Sequence, residues 1–403
     1  MLRAVTGIFR EKFARSALSV VLGLVACANG GSPTNGPSRA RPPAAGGVSA
    51  TTSNPSAALA ASIPVPASAT PAPSATVPAP EPRKVEVHEN AMGTNVTFVA
   101  YTNAHSDEAA TRAAIVRALD EMRRLEALLS EWRDDSEVGR INTQAGSWVS
   151  VGPETLEVIQ KGLWAGQISG GVFDITFQAM SGLWKFGSAQ EAHPKLPTRA
   201  EVLAAKKHVD YRRVEVSEAE HQVRIGKDQK MGLGGIAKGY IVDRAAHILR
   251  AAGLDAFLVQ AGGDLYGAGH KPDGSRWVSG IQDPRGALGQ YFATIELEDH
   301  AFSTAGDYAR AYVVGGKRYH HIIDPRTGYP ATACRSVTVW APDAFLADAV
   351  DDVVFILGPE KGLPLVESLD GVGVVVVDRN NKVTVSPRLE GKVHILAQPT
   401  DGL

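Results

Sequence analysis

The stretch FLADAVDDVVFILG, residues 345–358, sets Asp348, Asp351 and Asp352 in an otherwise apolar segment. At helical pitch Asp348 and Asp352 fall on one face, a turn apart. Like charges at that spacing cost roughly 0.2–0.5 kcal/mol on an exposed helix, and more where the surroundings exclude water. Val350, Val353, Val354 and Phe355 make those surroundings dry. The residues by themselves leave open why such a spacing is tolerated.

A second chemical string is RYHHIIDPRTGYP, residues 318–330. Strand alternation puts His320 and His321 on opposite faces, so only one can face a given site. The clustering of histidine with Asp324, Arg326 and Thr327 at a strand end points to a site, and histidine is the natural proton acceptor near neutrality. The spacing offers no third ligand for zinc. Glycine clusters form a third group: SGGVFDIT (169–176), GLGGIAKG (232–239) and QAGGDLYGAG (260–269). GLGGIAKG contains G-x-G-x-x-A, but no apolar strand precedes it, and Lys238 has neither P-loop spacing nor a following Ser or Thr. Glycines ahead of a helix still expose backbone N–H groups that suit a phosphate, or they serve only a close helix–strand contact. Three such clusters, one leading into Phe173 and Asp174, favour a large, flat, phosphorylated ligand.

These strings need a scaffold. KVEVHEN and TNVTFVAY alternate as strands do, and Ser106 is placed to cap a long helix running to about Trp132. Thr198–Glu201 fits a capping box, and the Gly-rich entry at 232 leads into a helix ended by Gly253. Strands are expected at AFLVQAG, WVSGIQD and YFATIEL. Hairpins are expected around Gly315-Gly316, around Asn380-Asn381 and within VEVSEAEHQVRI. Many hairpins and few strand–helix–strand repeats predict a mixed α+β body with largely antiparallel sheets and flanking helices.

The remaining chain is organised for export. Arg3, Arg10, Lys12 and Arg15 precede the short apolar run ALSVVLGLVA and then Cys27. This is a signal-peptide pattern, and Leu24-Val25-Ala26-Cys27 resembles a bacterial lipoprotein box, so residues 1–27 are expected to end at a lipidated Cys27. Residues 28–83 are almost wholly Pro, Ala, Ser, Gly and Thr; they cannot offset their ordering entropy by burial and are expected to form a disordered tether. The folded domain is expected over 84–403. Cys334 then has no internal disulfide partner and is expected to be a packing residue. A net charge of −2 on 403 residues, 44% of them hydrophobic, argues against nucleic acid as the main partner and permits a full core.

Taken in order, MGTNVTF, LLSEWRDDSEVGRIN, GGVFDIT, LGGIAKGYIVD, AGGDLYGAG, SGIQDPRG, STAGDYAR, YHHIIDPRTGYP and SVTV…ADAVDDVVFILG resemble the ApbE family of FAD:protein FMN transferases across roughly residues 85–398. The resemblance implies an ApbE-like, T-fold-like body that takes FAD and Mg²⁺ and moves FMN onto a Thr or Ser hydroxyl of an acceptor protein, releasing AMP. It implies that Met92, Trp132, Val172, Phe173, Asp174 and Lys238 border FAD. It also implies that the Gly235 carbonyl, Asp348 and Asp352 hold the metal and that His321 is the base. Many members are lipoproteins facing the periplasm, in keeping with Cys27 and with an exported acceptor; Ala28 is compatible with outer-membrane sorting. Three positions depart from the family pattern: Asp352 where Thr is usual, Gly232 where Asp precedes LGG, and Ala305 in place of Ser. Two further activities share the same residues. One is an FAD pyrophosphatase giving FMN and AMP; the other is a non-catalytic FAD-holding lipoprotein.

Overall fold

The computed structural model describes residues 81–186 and 194–402. The expected signal segment with Cys27, and the tether up to residue 80, lie outside the described residues. The central element is an eight-stranded sheet of β1 (Lys84–Ala91), β2 (Thr94–Tyr101), β3 (Phe257–Ala261), β4 (Asp264–Ala268), β5 (His300–Gly306), β6 (Cys334–Ala341), β7 (Gly373–Asp378) and β8 (Val383–Val385). The strands lie side by side in chain order, and every neighbouring pair is antiparallel. The expected α+β class with antiparallel sheets and flanking helices is the observed one.

Seven α-helices are described: α1 (Glu108–Leu129), α2 (Glu137–Thr143), α3 (Pro153–Ile168), α4 (Arg199–Lys206), α5 (Ala237–Ala251), α6 (Ala344–Leu357) and α7 (Pro359–Ser368). Strand alternation sorts the sheet's side chains to two faces. Val96, Phe98, Ala100, Val337, Val339, Val374 and Val376 join Ile115 and Met122 of α1, Ala245 of α5 and Val350 of α6 in one core. Val99, Leu258, Trp340, Val375 and Val377 face the other way, against Trp277, Phe292 and Ile295. Those three belong to a second sheet of Trp277–Gln282, Tyr291–Leu297 and Val393–Ile395. With both faces covered, β6 is buried along its whole length, including its polar residues Arg335, Ser336 and Thr338.

Local signals mostly act as expected. Thr198 and Glu201 form the reciprocal capping box of α4, and Gly253 follows α5 with φ +80°. One cap differs: α1 is capped by Asp107, whose carboxylate accepts from Ala110 N, and not by Ser106. Ser106 pairs instead with Asn103, one residue outside the helix. The helix also ends at Leu129, leaving Trp132 beyond it. Cys334 is buried, and burial pushes its thiol up to about 12, as suits a packing residue.

The sheet brings distant segments to one end. Met92 and Gly93, with φ of 54° and 65°, form the two-residue turn between β1 and β2. Both central residues at positive φ match the primed turn that follows a hairpin's twist. Gly262-Gly263 is likewise a two-residue turn, joining β3 to β4, with Gly262 at φ 62°. Because β2 pairs antiparallel with β3, the two turns are neighbours, and Gly262 N donates to Asn95 O at 3.1 Å. A Cβ placed on Gly263 would lie 3.2 Å from Thr304 O, so the end of β5 closes on the same place.

Candidate active site

Helices α5 and α6 meet beside this sheet end at glycine. A Cβ on Gly239 would sit 2.3 Å from Ala344 O and 2.8 Å from Asp348 Cβ, so only glycine permits this approach. The approach puts Lys238 among carboxylates. Its Nζ lies 2.6 Å from Asp264 Oδ2, at the start of β4, and 3.4 Å from Asp348 Oδ1. The other oxygen of Asp348 accepts from Gly239 N at 2.9 Å. Asp264 Oδ1 is 2.6 Å from Ser303 Oγ of β5, which is 2.7 Å from Asp351 Oδ2. Asp264, Ser303, Asp348 and Asp351 are all buried.

Charge in this cluster is coupled. Burial, then the Asp264 charge, raises the Asp348 carboxyl to about 7, with Lys238 pulling the other way. Asp352 is raised to about 6, first by burial and again against Lys238. Asp351 stands well above the carboxylate range through burial and its two neighbours, Asp352 and Asp348. Ser303 has one hydroxyl proton for two carboxylates, so the bridge is complete when a second proton resides on one of them. Asp264 is paired with Lys238, and Asp351, held well above the carboxylate range, is suited to carry that proton. When Asp264, Asp348 and Asp352 are ionised, three carboxylates face one ammonium, and two negative charges remain.

The Gly-rich loop completes one wall. Asn142 clamps its start, accepting from Met231 N at 2.7 Å and donating to Met231 O at 2.8 Å. Gly232 N donates to Ile175 O at 2.8 Å, joining the loop to the GGVFDIT turn. A Cβ on Gly235 would lie 3.3 Å from the Phe173 ring and 3.5 Å from Asp352 Oδ2. Phe173, Gly235 and Asp352 therefore share a surface. Asp174 is adjacent in sequence, but its carboxylate is used inside the turn. Oδ1 accepts from Thr176 N and Oγ1, and Oδ2 from Tyr211 N. Val172 is buried in the core, so its main chain is what it can offer a ligand. Trp132 is 77% exposed just beyond α1. Its neighbour Glu131 reaches the Gly-rich loop, with Oε1 3.2 Å from where a Gly234 Cβ would be.

The two histidines separate as alternation requires. His320 is buried, its Nε2 2.8 Å from Ala331 O and its ring edge-on to Phe355 of α6. His321 carries a buried Nδ1 with no hydrogen-bond partner among the described residues. Loss of water around the ring, then the neighbouring His320 and Arg310, hold its pKa down at about 3. The Lys238 charge contributes to the same depression.

The sequence singled out Lys238, Gly235, Phe173, Asp348, Asp352 and His321, and the fold gathers all but the last into direct contact or shared surface. Ser303 as the bridge between Asp264 and Asp351, and Glu131 against the loop, were missed. Nothing in their local patterns marks them, because their partners lie 39 and 48 residues from Ser303 and about a hundred from Glu131. Among the described residues no three His, Cys, Asp or Glu side chains form a ready-made metal-binding group.

The molecule is an all-antiparallel sheet with helices on one face and a second sheet on the other, and a lysine-centred carboxylate cluster at one sheet end. The family model for ApbE matches residues 92–376, and the chain belongs to the ApbE family. It is similar to the FAD:protein FMN transferase of Treponema pallidum, 32% identical over 324 residues, 76% of this chain and 88% of that protein. It is also similar to the FAD:protein FMN transferase of Escherichia coli K12, 31% identical over 65% of this chain and 77% of that one. Among solved structures, the ApbE protein of Thermotoga maritima superposes with a TM-score of 0.69 at 33% identity, covering 77% of this chain and 99% of that chain. The Vibrio cholerae flavin transferase ApbE gives 0.67 at 27% identity, over 77% of this chain and 99% of its own.

Proposed function

We propose that this chain is an FAD:protein FMN transferase that moves FMN from FAD to a Thr or Ser hydroxyl of an exported acceptor protein. Family membership supplies the reaction class. The observation that carries the assignment of roles is the lysine–carboxylate cluster beside the Gly-rich loop; His321 adds a buried Nδ1 without a partner among the described residues. Phe173, Met92, Trp132 and the main chain at Val172 border the flavin nucleotide, and Asp174 shapes the turn that carries Phe173. Lys238 and the backbone N–H groups ahead of α5 suit its pyrophosphate.

Mg²⁺ fits this donor set. Asp348 Oδ1, the Asp352 carboxylate and the Gly235 carbonyl are hard oxygens, two carboxylates are as many as Mg²⁺ usually takes from protein, and the two surplus negative charges match a divalent ion. When bound, Mg²⁺ would neutralise phosphate charge developing in the transition state. The residues themselves do the rest. Asp264 orients Lys238, Gly239 N orients Asp348, and neutral His321 takes the proton of the attacking hydroxyl. The acceptor oxygen forms the new O–P bond at the phosphorus of the FMN half, the P–O bond to AMP breaks, and AMP leaves.

In this reading Cys27 is lipidated, residues 28–83 tether the domain 84–403 to a membrane, and catalysis faces the periplasm. Among the described residues no helix is long and apolar enough to cross a membrane. The test is a product analysis with FAD, Mg²⁺ and an acceptor domain. AMP equal in amount to acceptor-bound flavin is expected. Free FMN with AMP would mean that water replaces the acceptor, and intact FAD would mean that the site only holds its ligand.

A further inference from the structure

Helices α5 and α6 cap each other. The first N–H groups of a helix have no partner within it and need one from outside. At α6 they are supplied by α5: Asp243 Oδ1 accepts from Ala344 N at 2.7 Å, and Oδ2 accepts from Phe345 N at 2.8 Å. Asp343, the helix's own cap, takes the next donor, Leu346 N, at 2.7 Å. At α5 the donor Gly239 N is taken by Asp348 of α6. Gly239 and Asp243 are one turn apart on α5, and both bear on the first turns of α6. The two contacts therefore fix the position of α6 along α5 and its rotation about its own axis. Rotation is the quantity that aims Asp348, whose Oδ2 is tied to Gly239 N while Oδ1 is left toward Lys238.

We propose that Asp243, a residue outside the candidate active site, is a positioning residue that sets the aim of Asp348 through the α5–α6 cross-cap. The inference rests on the reading of Asp348 as a metal ligand. Partners that orient a ligand typically govern metal affinity by about 10–100-fold. Asp243→Asn keeps the size of the side chain but turns one of its two acceptors into a donor facing Phe345 N or Ala344 N.

The test is calorimetric Mg²⁺ binding to the otherwise intact protein without FAD, for Asp243→Asn, Asp348→Asn and the double variant, with thermal unfolding of each in parallel. Asp243→Asn is expected to weaken Mg²⁺ about tenfold or more at temperatures where the variant is fully folded. The double variant is expected to bind no more weakly than Asp348→Asn, because Asp243 acts through Asp348. Asp243→Glu, which keeps both acceptors, is expected to recover part of the affinity. If Asp348→Asn weakens Mg²⁺ but Asp243→Asn only lowers the unfolding temperature, the positioning role is wrong and the cap is merely structural. If Asp348→Asn leaves Mg²⁺ binding unchanged, the metal assignment itself fails.

Discussion

At the scale of single residues, the site is a problem of keeping charges and neutral groups in specified states. His321 can accept a proton at neutral pH only if it is uncharged there, and desolvation with nearby positive groups achieves this. Its folded pKa of about 3 lies below the ordinary 6.5. The unfolded chain therefore takes up the proton first, and the contribution to stability is lost as pH falls from 6.5 toward 3. His321→Gln is expected to lose most transfer activity while FAD still binds, and to unfold with less acid sensitivity over that window. Equilibrium flavin titration and denaturation at pH 7 and pH 4.5 check both parts; loss of FAD binding would make His321 a ligand residue instead. Asp348→Ala is expected to abolish Mg²⁺-dependent turnover yet leave the fold intact, since it also removes like-charge repulsion inside the cluster. Circular dichroism alongside activity separates these outcomes. Asp352→Thr removes the second carboxylate while keeping a hard oxygen at the position. A faster rate at saturating Mg²⁺ is expected if the added carboxylate repels the FAD pyrophosphate, and an unchanged rate would show that the position is neutral.

At the scale of elements, what matters is how closely α5 and α6 approach. Gly239→Ala would drive a methyl into the Ala344 carbonyl and Asp348 Cβ. Forced overpacking of this kind typically costs about 1–3 kcal/mol, so chemical denaturation should show a loss of that order, with Mg²⁺ affinity falling as well. Element existence was readable because alternation, the Gly-Gly turn at 315–316 and the capping box at Thr198 are local patterns. The cap of α1 shifted by one residue because Ser106 and Asp107 both satisfy the cap chemistry. Ser106 is taken up by a local bridge to Asn103 and by the contact of its Oγ with Ala252 O across the fold, which leaves Asp107 as the cap. Asp243 was invisible as a cap, since its two donors lie 101 and 102 residues away. Asp174 was readable as part of a loop beside a ligand, but not as a residue whose oxygens are already spent on Thr176 and Tyr211.

At the scale of the whole molecule, a meander of eight strands in chain order brings segments more than two hundred residues apart to one sheet end. The turn at Met92, the bridge at Ser303 and the approach of α6 all depend on strand order, which no window of sequence contains. The same architecture makes the ionised cluster costly, because several buried carboxylates share one lysine, and in the proposed reading a cation would offset that cost. Mg²⁺ is therefore expected to raise the thermal midpoint of the whole folded body, by the equivalent of about 2.7 kcal/mol at a hundredfold excess over its Kd. A thermal shift series with and without chelator checks this, and Asp348→Ala should abolish the shift. The most direct test of the central claim is intact mass analysis of an acceptor domain incubated with this protein, FAD and Mg²⁺. The account predicts a gain equal to one FMN, on a Thr or Ser and lost when Mg²⁺ is chelated. An acceptor of unchanged mass, with FAD either intact or split to free FMN and AMP, would contradict it.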